Sequence, residues 1–326
     1  MQRAVELAKK AGEATRPNPR VGAVLVKGGK LKGAGFHRKA GEPHAEVMAL
    51  RNAGTSAKGA DLYVTLEPCS TQGRTPPCTQ AIIKAGVRRV IYGSGDADRR
   101  NQGKADRILK RAGIRVTRGV LEGECERINE DYRHWTTRRE PWVILKLAMT
   151  MDGYLAVPGR RWVTGGRARA EVQKLRVGCD AILVGAETVR QDNPRLTIRA
   201  RRVKEQPWRV VVTRSGKLPK EANLFRDRHQ DRTLVYRMKK WSEVLQDLHR
   251  QGVSRLLVEG GAEVGEGLVA SGKVNEAVIY LAPVLVGGDG KGLPRIQNWA
   301  NWGWRELVTS SAGQDLCLRG KLGGAK

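Results

Sequence analysis

One histidine and two cysteines in the first half of the chain are residue types that bind catalytic zinc. They are His44, Cys69 and Cys78. One imidazole and two thiolates give Zn²⁺ three protein ligands and leave the fourth tetrahedral position open, whereas a fourth side chain closes a structural zinc site. Water at an open position loses a proton near neutral pH and becomes a nucleophile. The three residues therefore predict a hydrolytic zinc centre.

Glu46, two residues after His44, predicts the kind of hydrolysis. Attack on a ring carbon that carries an amino group needs a residue that moves protons onto the leaving ammonia. With both residues in the first turn of a helix, one side chain binds the metal while the other reaches the metal-bound water. This His-x-Glu pattern, followed by Pro-Cys, is the signature of zinc nucleobase deaminases.

The surroundings of the cysteines favour a catalytic metal site over the alternatives. Pro68 and Pro77 each precede a cysteine, and the apolar run from Cys78 to Ala85 predicts a helix whose first turn stabilises a thiolate. One alternative is a structural zinc clip, whose fourth ligand would have to be His37 although its position fits no zinc spacing. The other is that the thiols simply pack in a core.

Size and cysteine content indicate a two-domain protein of a reducing compartment. The chain has 326 residues, enough for two full cores, and five scattered cysteines that make no disulfide framework. We expect Cys125, Cys179 and Cys317 to be packing residues. The N-terminus predicts an amphipathic helix without a signal-peptide core, and no apolar run is long enough to span a bilayer. A cytoplasmic location away from membranes is expected.

The strong positive charge admits two interpretations. Lys and Arg number 60 against 33 Asp and Glu, an excess of 27 that ordinarily favours nucleic-acid binding. The basic residues are spread over both halves, and two Phe and six Tyr provide few platforms for stacking bases. We therefore expect a solvated surface that attracts an anionic small-molecule substrate, without a specific nucleic-acid partner.

Strands and helices alternate in both halves, which predicts two α/β domains. Cys69 follows the third predicted strand, at the end where α/β sheets place their sites. A charged helical connector is predicted over 122–141, between domains covering 1–121 and 142–326. Predicted strands cover 21–26, 31–37, 61–66, 88–92 and 114–117 in the first domain, as a mixed sheet, and 143–147, 181–184, 210–213, 255–258 and 276–281 in the second.

Several sequence blocks carry a resemblance to a known family. In the first half they are Pro17-Asn18-Pro19, Val21-Gly22-Ala23, Gly35-Phe36-His37, His44-Ala45-Glu46 and Leu66 to Cys78, and in the second half 146–153, 162–165, 180–185, 192–197 and 258–261. Eight residues separate the two cysteines, whereas general nucleobase deaminases have two. The intervening segment Gly73-Arg74-Thr75-Pro76-Pro77 is characteristic of the deaminases of riboflavin biosynthesis. The chain resembles the bifunctional deaminase/reductases of riboflavin biosynthesis along nearly its whole length.

This resemblance implies the fold, the reactions and the assembly. Residues 1–121 would form a cytidine-deaminase-like three-layer α/β/α sandwich, a zinc-dependent pyrimidine deaminase. Residues 142–326 would form a dihydrofolate-reductase-like α/β domain that uses NADPH. The implied reactions are hydrolytic deamination of 2,5-diamino-6-ribosylamino-4(3H)-pyrimidinone 5′-phosphate and then reduction of the ribosyl group to ribityl. A homodimer or higher homo-oligomer through the reductase domains is also implied.

The resemblance further assigns site residues by motif position. It assigns metal binding to His44, Cys69 and Cys78, catalysis to Glu46, and substrate binding to Asn18, Arg176, Leu196, Arg199 and Glu259. It assigns cofactor binding to Met149, Trp162, Thr188, Asp192, Gly261, Ala262, Glu263, Val264, Gly265, Glu266 and Gly267.

Some of these assignments have support from residue chemistry. Glu259-Gly260-Gly261 follows an apolar strand and precedes a helix, where backbone N–H groups can cradle a phosphate. Arg176 and Arg199 could hold a substrate phosphate bidentately, although either could be a surface arginine. Lys146, Asp192 and Glu259 are candidates for polar orientation in the reductase site, without a ranking.

Two departures from the family pattern affect the expected sites. Thr71 follows the Cys-Ser pair where the family usually has His, which alters a contact to substrate or to a residue behind it. The loop before Trp162 is short and basic, Pro158-Gly159-Arg160-Arg161, and makes Arg160 a possible phosphate partner.

Three rival hypotheses stay open at this point. A nucleic-acid base deaminase with an accessory domain would act on polynucleotide and would not oxidise NADPH. An RNA-binding protein with a structural zinc clip would need a closed fourth ligand. A chain that had lost the deaminase and kept the reductase is disfavoured because His44, Glu46, Cys69 and Cys78 are all present.

Overall fold

The chain folds into two units, Met1–Arg139 and Glu140–Lys326. The computed structural model describes residues 1–73, 75–200, 202–237, 240–290 and 302–323, so Arg74 of the motif quoted above lies outside the described residues. No helix in these ranges is both long enough and apolar enough to cross a membrane.

The first unit is built on a five-stranded sheet of order β2-β1-β3-β4-β5. Strand β1 is antiparallel to β2 and β3, whereas β3, β4 and β5 are parallel. Its elements are α1 (Gln2–Lys10), β1 (Gly22–Lys27), β2 (Lys30–Phe36), α2 (Ala45–Ala53), β3 (Asp61–Leu66), α3 (Cys78–Lys84), β4 (Arg89–Ser94), α4 (Lys104–Arg111), β5 (Arg115–Thr117), α5 (Glu122–Ile128) and α6 (Glu130–Arg138). The expected mixed sheet is confirmed.

Helices cover both faces of this sheet because the strand residues alternate between two apolar cores. Ala23 and Leu25 point into the larger core with α2, α3 and α4, while Val24 points into a smaller core with α1. Contact with α2 is especially close, since a Cβ atom on Gly33 would lie 2.2 Å from the carbonyl oxygen of Ala49. The result is a helix–sheet–helix sandwich.

The predicted connector forms two helices that belong to the first unit. A Cβ atom on Gly93 of β4 would lie 2.2 Å from Cys125 Sγ, so α5 packs directly on the sheet. The chain then turns at Asn129, whose side chain accepts a hydrogen bond from Arg20 N (2.8 Å) and donates one to Arg20 O (2.9 Å). Helix α6 is therefore also fixed to the first unit.

The second unit contains an eight-stranded sheet of order β12-β13-β11-β6-β10-β7-β8-β9. The six adjacent strands β11, β6, β10, β7, β8 and β9 are all parallel. Strands β13 and β12 form a hairpin that pairs antiparallel to β11 at one edge. Its elements are β6 (Trp142–Thr150), α7 (Gly166–Val177), β7 (Ala181–Gly185), α8 (Ala186–Asp192), β8 (Trp208–Thr213), α9 (Asn223–Arg226), β9 (Thr233–Arg237), α10 (Trp241–Arg250), β10 (Arg255–Val258), α11 (Ala262–Ala270), β11 (Glu276–Ala282), β12 (Trp304–Ala312) and β13 (Asp315–Leu322).

Both faces of the second sheet are covered as well. Val143, Leu145 and Leu147 of β6 pack with α10 and α11, whereas Ile144 lies on the opposite face with α7. By the same alternation Lys146 lies on the α7 face. Because β6, β10 and β7 are parallel neighbours, their carboxyl ends meet at one edge of the sheet, where ligands bind in open α/β folds.

Candidate functional site

The first unit brings the three predicted zinc ligands together from three elements. His44 is the residue that precedes α2, Cys69 lies in the loop after β3, and Cys78 is the first residue of α3. Their ligating atoms all lie within 4.8 Å of one another. Among the described residues, this is the cluster of histidine, cysteine and acidic side chains that could hold a metal ion. The arrangement follows from topology, because both helices begin beside the carboxyl end of β3.

The spacing of the ligand atoms fits a zinc ion. His44 Nδ1 lies 3.5 Å from Cys69 Sγ and 3.3 Å from Cys78 Sγ. Tetrahedral zinc with bonds of about 2.3 Å to sulfur and about 2.0 Å to nitrogen would separate N and S by about 3.5 Å. Nδ1 is therefore the nitrogen that would face a metal, while Nε2 lies 3.4 Å from Thr75 Oγ1, a hydroxyl that can fix the ring.

The thiol of Cys69 already has the character of a ligand. The hydrogen bond between the two thiols lowers the pKa of Cys69 and raises that of Cys78, so that Cys69 is the thiolate of the pair. His44 and the Cys78 backbone N–H, which lies 3.2 Å from Cys69 Sγ, lower the pKa of Cys69 further. A thiolate at neutral pH is the form that binds zinc. The donor set therefore fits the metal that the sequence predicts.

Glu46 lies beside these ligands and is 4% exposed. Burial, with the neighbouring Cys69, raises its pKa to about 7 in the metal-free protein. A carboxyl group with this pKa exchanges protons readily near neutral pH, as a general acid–base group must. It is supplied by the first turn of α2, the turn that follows His44.

His37 is not available as a fourth ligand. Its Nδ1 lies 3.3 Å from Pro43 O and must donate to it, so that Nε2 accepts a hydrogen bond of 3.2 Å from Asn18 Nδ2. Its ring meets that of His44 edge-on, with centroids 5.1 Å apart. Asn18, a predicted substrate residue, is thus tied to the histidine that packs behind the site.

A polar cluster behind Cys69 was not foreseen from the sequence. Asn101 and Asp96 lie in the loop after β4, both buried, and Asn101 is hydrogen-bonded to Ser70 and Thr71. The signal that could have found them is position, because polar residues after β4 must lie beside those after its parallel neighbour β3.

The predicted reductase residues fall into two groups, one at the carboxyl edge of the second sheet and one in the buried core. Thr188 and Gly261 lie together at the carboxyl edge of the second sheet, since a Cβ atom on Gly261 would lie 4.0 Å from Thr188 Oγ1, and Asp192 is the last residue of α8. The expected Gly-rich turn over 261–267 is instead the start of α11, in which Gly265 faces Leu145 and Leu147 and Gly267 faces Trp241. Met149 and Leu196, by contrast, are core residues, 1% and 2% exposed. Their side chains pack in apolar cores rather than into an open site.

A charged cluster lies at the same edge. Arg176 of α7 binds Glu259 bidentately, from Nε at 2.6 Å and NH2 at 2.9 Å, and donates from NH1 to Thr197 O at 3.0 Å. Burial alone would raise the pKa of Glu259, but Arg176 and Lys146 hold it below its usual value. Lys146 interacts with Glu259 and Asp192, and burial lowers its pKa. The guanidinium of Arg176 is thus occupied by the protein.

The short loop before Trp162 is a turn rather than an open segment. Gly159 has φ +69°, and Val157 pairs with Arg160. The Trp162 ring is 53% exposed and is contacted by the guanidinium groups of Arg161 and Arg169, each 5.3 Å from its centroid. Arg199 is exposed and its backbone N–H donates to Gln173 Oε1 at 2.8 Å.

Comparison with known proteins assigns both halves. Residues 1–94 match the model of the cytidine and deoxycytidylate deaminase zinc-binding region, and residues 141–318 match that of the RibD C-terminal domain. The riboflavin biosynthesis protein RibD of Aquifex aeolicus is 39% identical over 88% of this chain and 87% of its own. The RibD protein of Synechocystis sp. is 41% identical over 88% and 84%.

Solved structures give the same assignment. Acinetobacter baumannii RibD superimposes with a TM-score of 0.87 at 35% identity and covers 99% of this chain and 97% of that one. A diaminohydroxyphosphoribosylaminopyrimidine deaminase/5-amino-6-(5-phosphoribosylamino)uracil reductase from Thermotoga maritima gives 0.82 at 31% identity, with the same coverage. The expected deaminase-like and reductase-like folds are confirmed. The chain belongs to the RibD family of bifunctional deaminase/reductases of riboflavin biosynthesis.

Proposed function

We propose that His44, Cys69 and Cys78 hold the zinc ion of the deaminase half. The observation that carries this assignment is the convergence of their ligand atoms within 4.8 Å at tetrahedral spacing. When bound, zinc supplies a Lewis acid that lowers the pKa of a water molecule at its open position. The remaining chemistry falls to the side chains of the first unit.

Glu46 moves the protons in this proposal. Its carboxylate takes a proton from the attacking water and returns it to the amino nitrogen that leaves as ammonia. Glu46 is buried beside the proposed metal ligands, and burial raises the pKa of its carboxyl, which favours return of the proton to the leaving nitrogen. Its burial also keeps the carboxyl out of bulk water, so that the proton passes between reacting groups.

The substrate proposed for this half is 2,5-diamino-6-ribosylamino-4(3H)-pyrimidinone 5′-phosphate, whose 2-amino group is replaced by oxygen to give the uracil. The similarity to the Thermotoga maritima diaminohydroxyphosphoribosylaminopyrimidine deaminase supports this substrate class. Asn18, held by His37 at the rim of the site, is proposed to bind it. The strongly basic surface favours such an anionic substrate.

For the second unit we propose reduction of the ribosyl group to ribityl with NADPH. The N-terminus of α11, Gly261 to Val264, fits a cofactor phosphate because no side chain caps it and its first N–H groups lack helical partners. NADPH, when bound, supplies the hydride. We assign cofactor binding to Thr188, Asp192, Trp162, Met149 and the start of α11, Gly261-Ala262-Glu263-Val264-Gly265-Glu266-Gly267.

On the substrate side we propose Arg199, the Leu196 backbone and the cluster of Lys146 and Glu259. The pairing of Arg176 with Glu259 and Thr197 O supports a narrower role for Arg176, that of orienting Glu259 rather than of gripping a phosphate with a free guanidinium. Lys146 then presents the positive group that faces the reacting end of the substrate.

One assay with two readouts tests the proposal. Purified full-length protein with zinc and the pyrimidine nucleotide is followed for ammonia release, and NADPH absorbance is followed after the deaminated product is added. Both signals are expected. Ammonia release from polynucleotide with no NADPH oxidation would instead support the rival nucleic-acid deaminase.

The assembly and location are proposals as well. Strand β12 is an edge strand of the second sheet and exposes Leu307 (48%) and Val308 (63%), which supports a homodimer through the reductase half. Light scattering should give twice the monomer mass of 35.9 kDa. The five cysteines, all of which lie in the described ranges, form no disulfide bond, which supports a cytoplasmic location.

A further inference from the structure

The loop that carries Cys69 is cross-linked to the loop after β4. Its Glu67 is buried, and the carboxylate accepts hydrogen bonds from the backbone N–H groups of Gly103 (3.1 Å), Asp96 (3.3 Å) and Ala105 (3.3 Å). One carboxylate thus fixes both ends of the 96–105 segment. The segment is held rigidly against the Cys69 loop.

Asn101 makes the second cross-link, at the position closest in sequence to the metal ligand. Its Oδ1 accepts from the N–H and hydroxyl of Ser70 (3.2 and 3.3 Å) and from the N–H and hydroxyl of Thr71 (3.2 and 2.9 Å). Backbone N–H groups only donate, so the amide oxygen must face them. The two residues directly after Cys69 therefore converge on one buried side chain.

Two further residues fix the orientation of this amide. Asn101 Nδ2 donates to Asp96 Oδ2 at 3.0 Å, and the other carboxylate oxygen of Asp96 accepts from Tyr132 Oη (2.8 Å) and from the Asp98 N–H (2.9 Å). Asp96 is 5% exposed and Asn101 is 8% exposed. A chain of hydrogen bonds therefore runs from α6 through the loop after β4 to Ser70 and Thr71.

We propose that Asn101 is a positioning residue of the deaminase site. Oriented by Asp96 and Tyr132, its amide fixes the backbone of Ser70 and Thr71, and through that backbone the position of the Cys69 thiolate and of the adjoining rim of the substrate site. This inference rests on the proposed zinc-dependent deamination. It also assigns a role to Thr71, whose hydroxyl binds Asn101 rather than a ligand.

The expected loss of deamination rate follows from how precisely a catalytic group must be positioned. Displacement of a catalytic group by about 1 Å can cost about 10²-fold in rate. Loss of the Asn101 amide leaves two N–H groups and two hydroxyl groups after Cys69 without their common acceptor. We expect the ligand loop to shift and the deamination rate to fall, while the protein stays folded through the Glu67 cross-link.

A reciprocal exchange tests this role in the full-length protein. In N101D, two carboxylates face each other and the Nδ2 donor is lost, so kcat/KM for ammonia release should fall by about tenfold or more. In the double variant D96N/N101D, the amide introduced at position 96 donates to the carboxylate introduced at position 101. That carboxylate accepts the same four bonds from Ser70 and Thr71, and the amide oxygen at position 96 still accepts from Tyr132. Recovery to within about threefold of wild type is expected.

The visible spectrum of the Co²⁺-substituted protein is the second readout, because it reports on ligand geometry independently of turnover. The bands should change in N101D and return in D96N/N101D. Gln2, an exposed residue at the start of α1, gives the amide-to-acid control Q2E, with wild-type deamination and spectrum. NADPH oxidation by the second unit should be unchanged in every variant.

Two results would overturn the positioning role: wild-type kcat/KM and spectrum in N101D, or a double variant as impaired as N101D. Failure of the proposed function is a separate result. It would appear as a wild-type protein that releases no ammonia from the pyrimidine nucleotide, whatever the variants do.

Discussion

Glu46 shows how the same burial that makes a carboxyl group costly to ionise makes it useful. Withdrawn from water and placed next to Cys69, it has a pKa of about 7, whereas the usual value of a glutamate is near 4.5. Burial thus brings the free energies of the two protonation states closer together, which suits a group that accepts a proton and returns it. His44 differs in function because its nitrogen is directed at the two sulfur atoms.

The first prediction separates proton transfer from metal binding. E46Q keeps the shape of the side chain and removes its basicity, so kcat for ammonia release should fall by about 10²-fold or more. Zinc content, measured by elemental analysis, should remain at one ion per chain. The control E42Q changes an exposed glutamate just before the site and should behave as wild type. Full activity of E46Q would remove the proton-transfer role.

In the second unit, Lys146 is a lysine whose ammonium group is buried among other charged side chains. It projects from β6 toward α7, and its charge interacts with Glu259, Arg176 and Asp192. Burial lowers its pKa, while Glu259 opposes that shift. An ammonium group in this position can orient a polar substrate atom without moving itself.

K146M tests that role. Loss of a charged hydrogen-bonding group costs about 1.5–3 kcal/mol, so NADPH oxidation with the deaminated intermediate should slow by about tenfold or more. NADPH affinity, followed by fluorescence, should change less than turnover, because the start of α11 is untouched and only the charge interaction of Lys146 with Asp192 is lost. K220M, at an exposed lysine of the same unit, is the control. Equal rates in K146M and wild type would contradict the assignment.

At the scale of elements, the zinc site depends on how closely α2 lies against the sheet. Helix α2 carries Glu46, and His44 directly precedes it. Gly35 of β2 leaves room for that helix, since a Cβ atom there would lie 2.5 Å from Met48 Cβ and 2.8 Å from Ala45 O. A backbone atom of a helix cannot move alone, so a methyl group added at Gly35 must displace the whole first turn of α2.

G35A should therefore weaken the metal site without touching a ligand. Overpacking of this kind costs about 1–3 kcal/mol, and we expect a lower unfolding temperature for the first unit together with reduced zinc occupancy. Calorimetry and elemental analysis measure the two effects. G12A places its new methyl group in open space and should leave both unchanged. A stable, zinc-loaded G35A protein would show that α2 tolerates displacement.

Some site residues and strands could be predicted from the sequence, and others could not. His44, Cys69 and Cys78 were predictable because zinc ligands are few in kind and their neighbours mark helix starts and strand ends. Asn101 was not, because asparagine is common in loops and its partners lie 30 and 31 residues away in the chain. The β12–β13 hairpin was missed because most residues of β12 are exposed and do not alternate in hydrophobicity.

Backbone roles are equally hidden from sequence. Met149 and Leu196 match family positions for ligand binding, yet their side chains lie in apolar cores. Leu196 has φ +48°, so its backbone takes a conformation that its residue type does not indicate. A motif can therefore identify the position while the structure alone shows which atoms are available.

At the scale of the whole molecule, the two units divide the chemistry between separate cores. Each has its own sheet, with its own candidate site at the carboxyl ends of parallel strands. The excess of 27 positive charges is spread over both units, as expected of a protein whose two proposed substrates both carry phosphate. The metal ligands found among the described residues, however, all belong to the first unit.

Removal of zinc should therefore stop one reaction and spare the other. After dialysis against a chelator, ammonia release should be lost, because the site formed by His44, Cys69 and Cys78 no longer holds the ion that activates water. NADPH oxidation with added deaminated intermediate should stay within about twofold of the untreated rate. Added Zn²⁺ should restore deamination. Parallel loss of both activities would show that the second unit depends on the metal site, and retained deamination in metal-free protein would refute the zinc assignment itself.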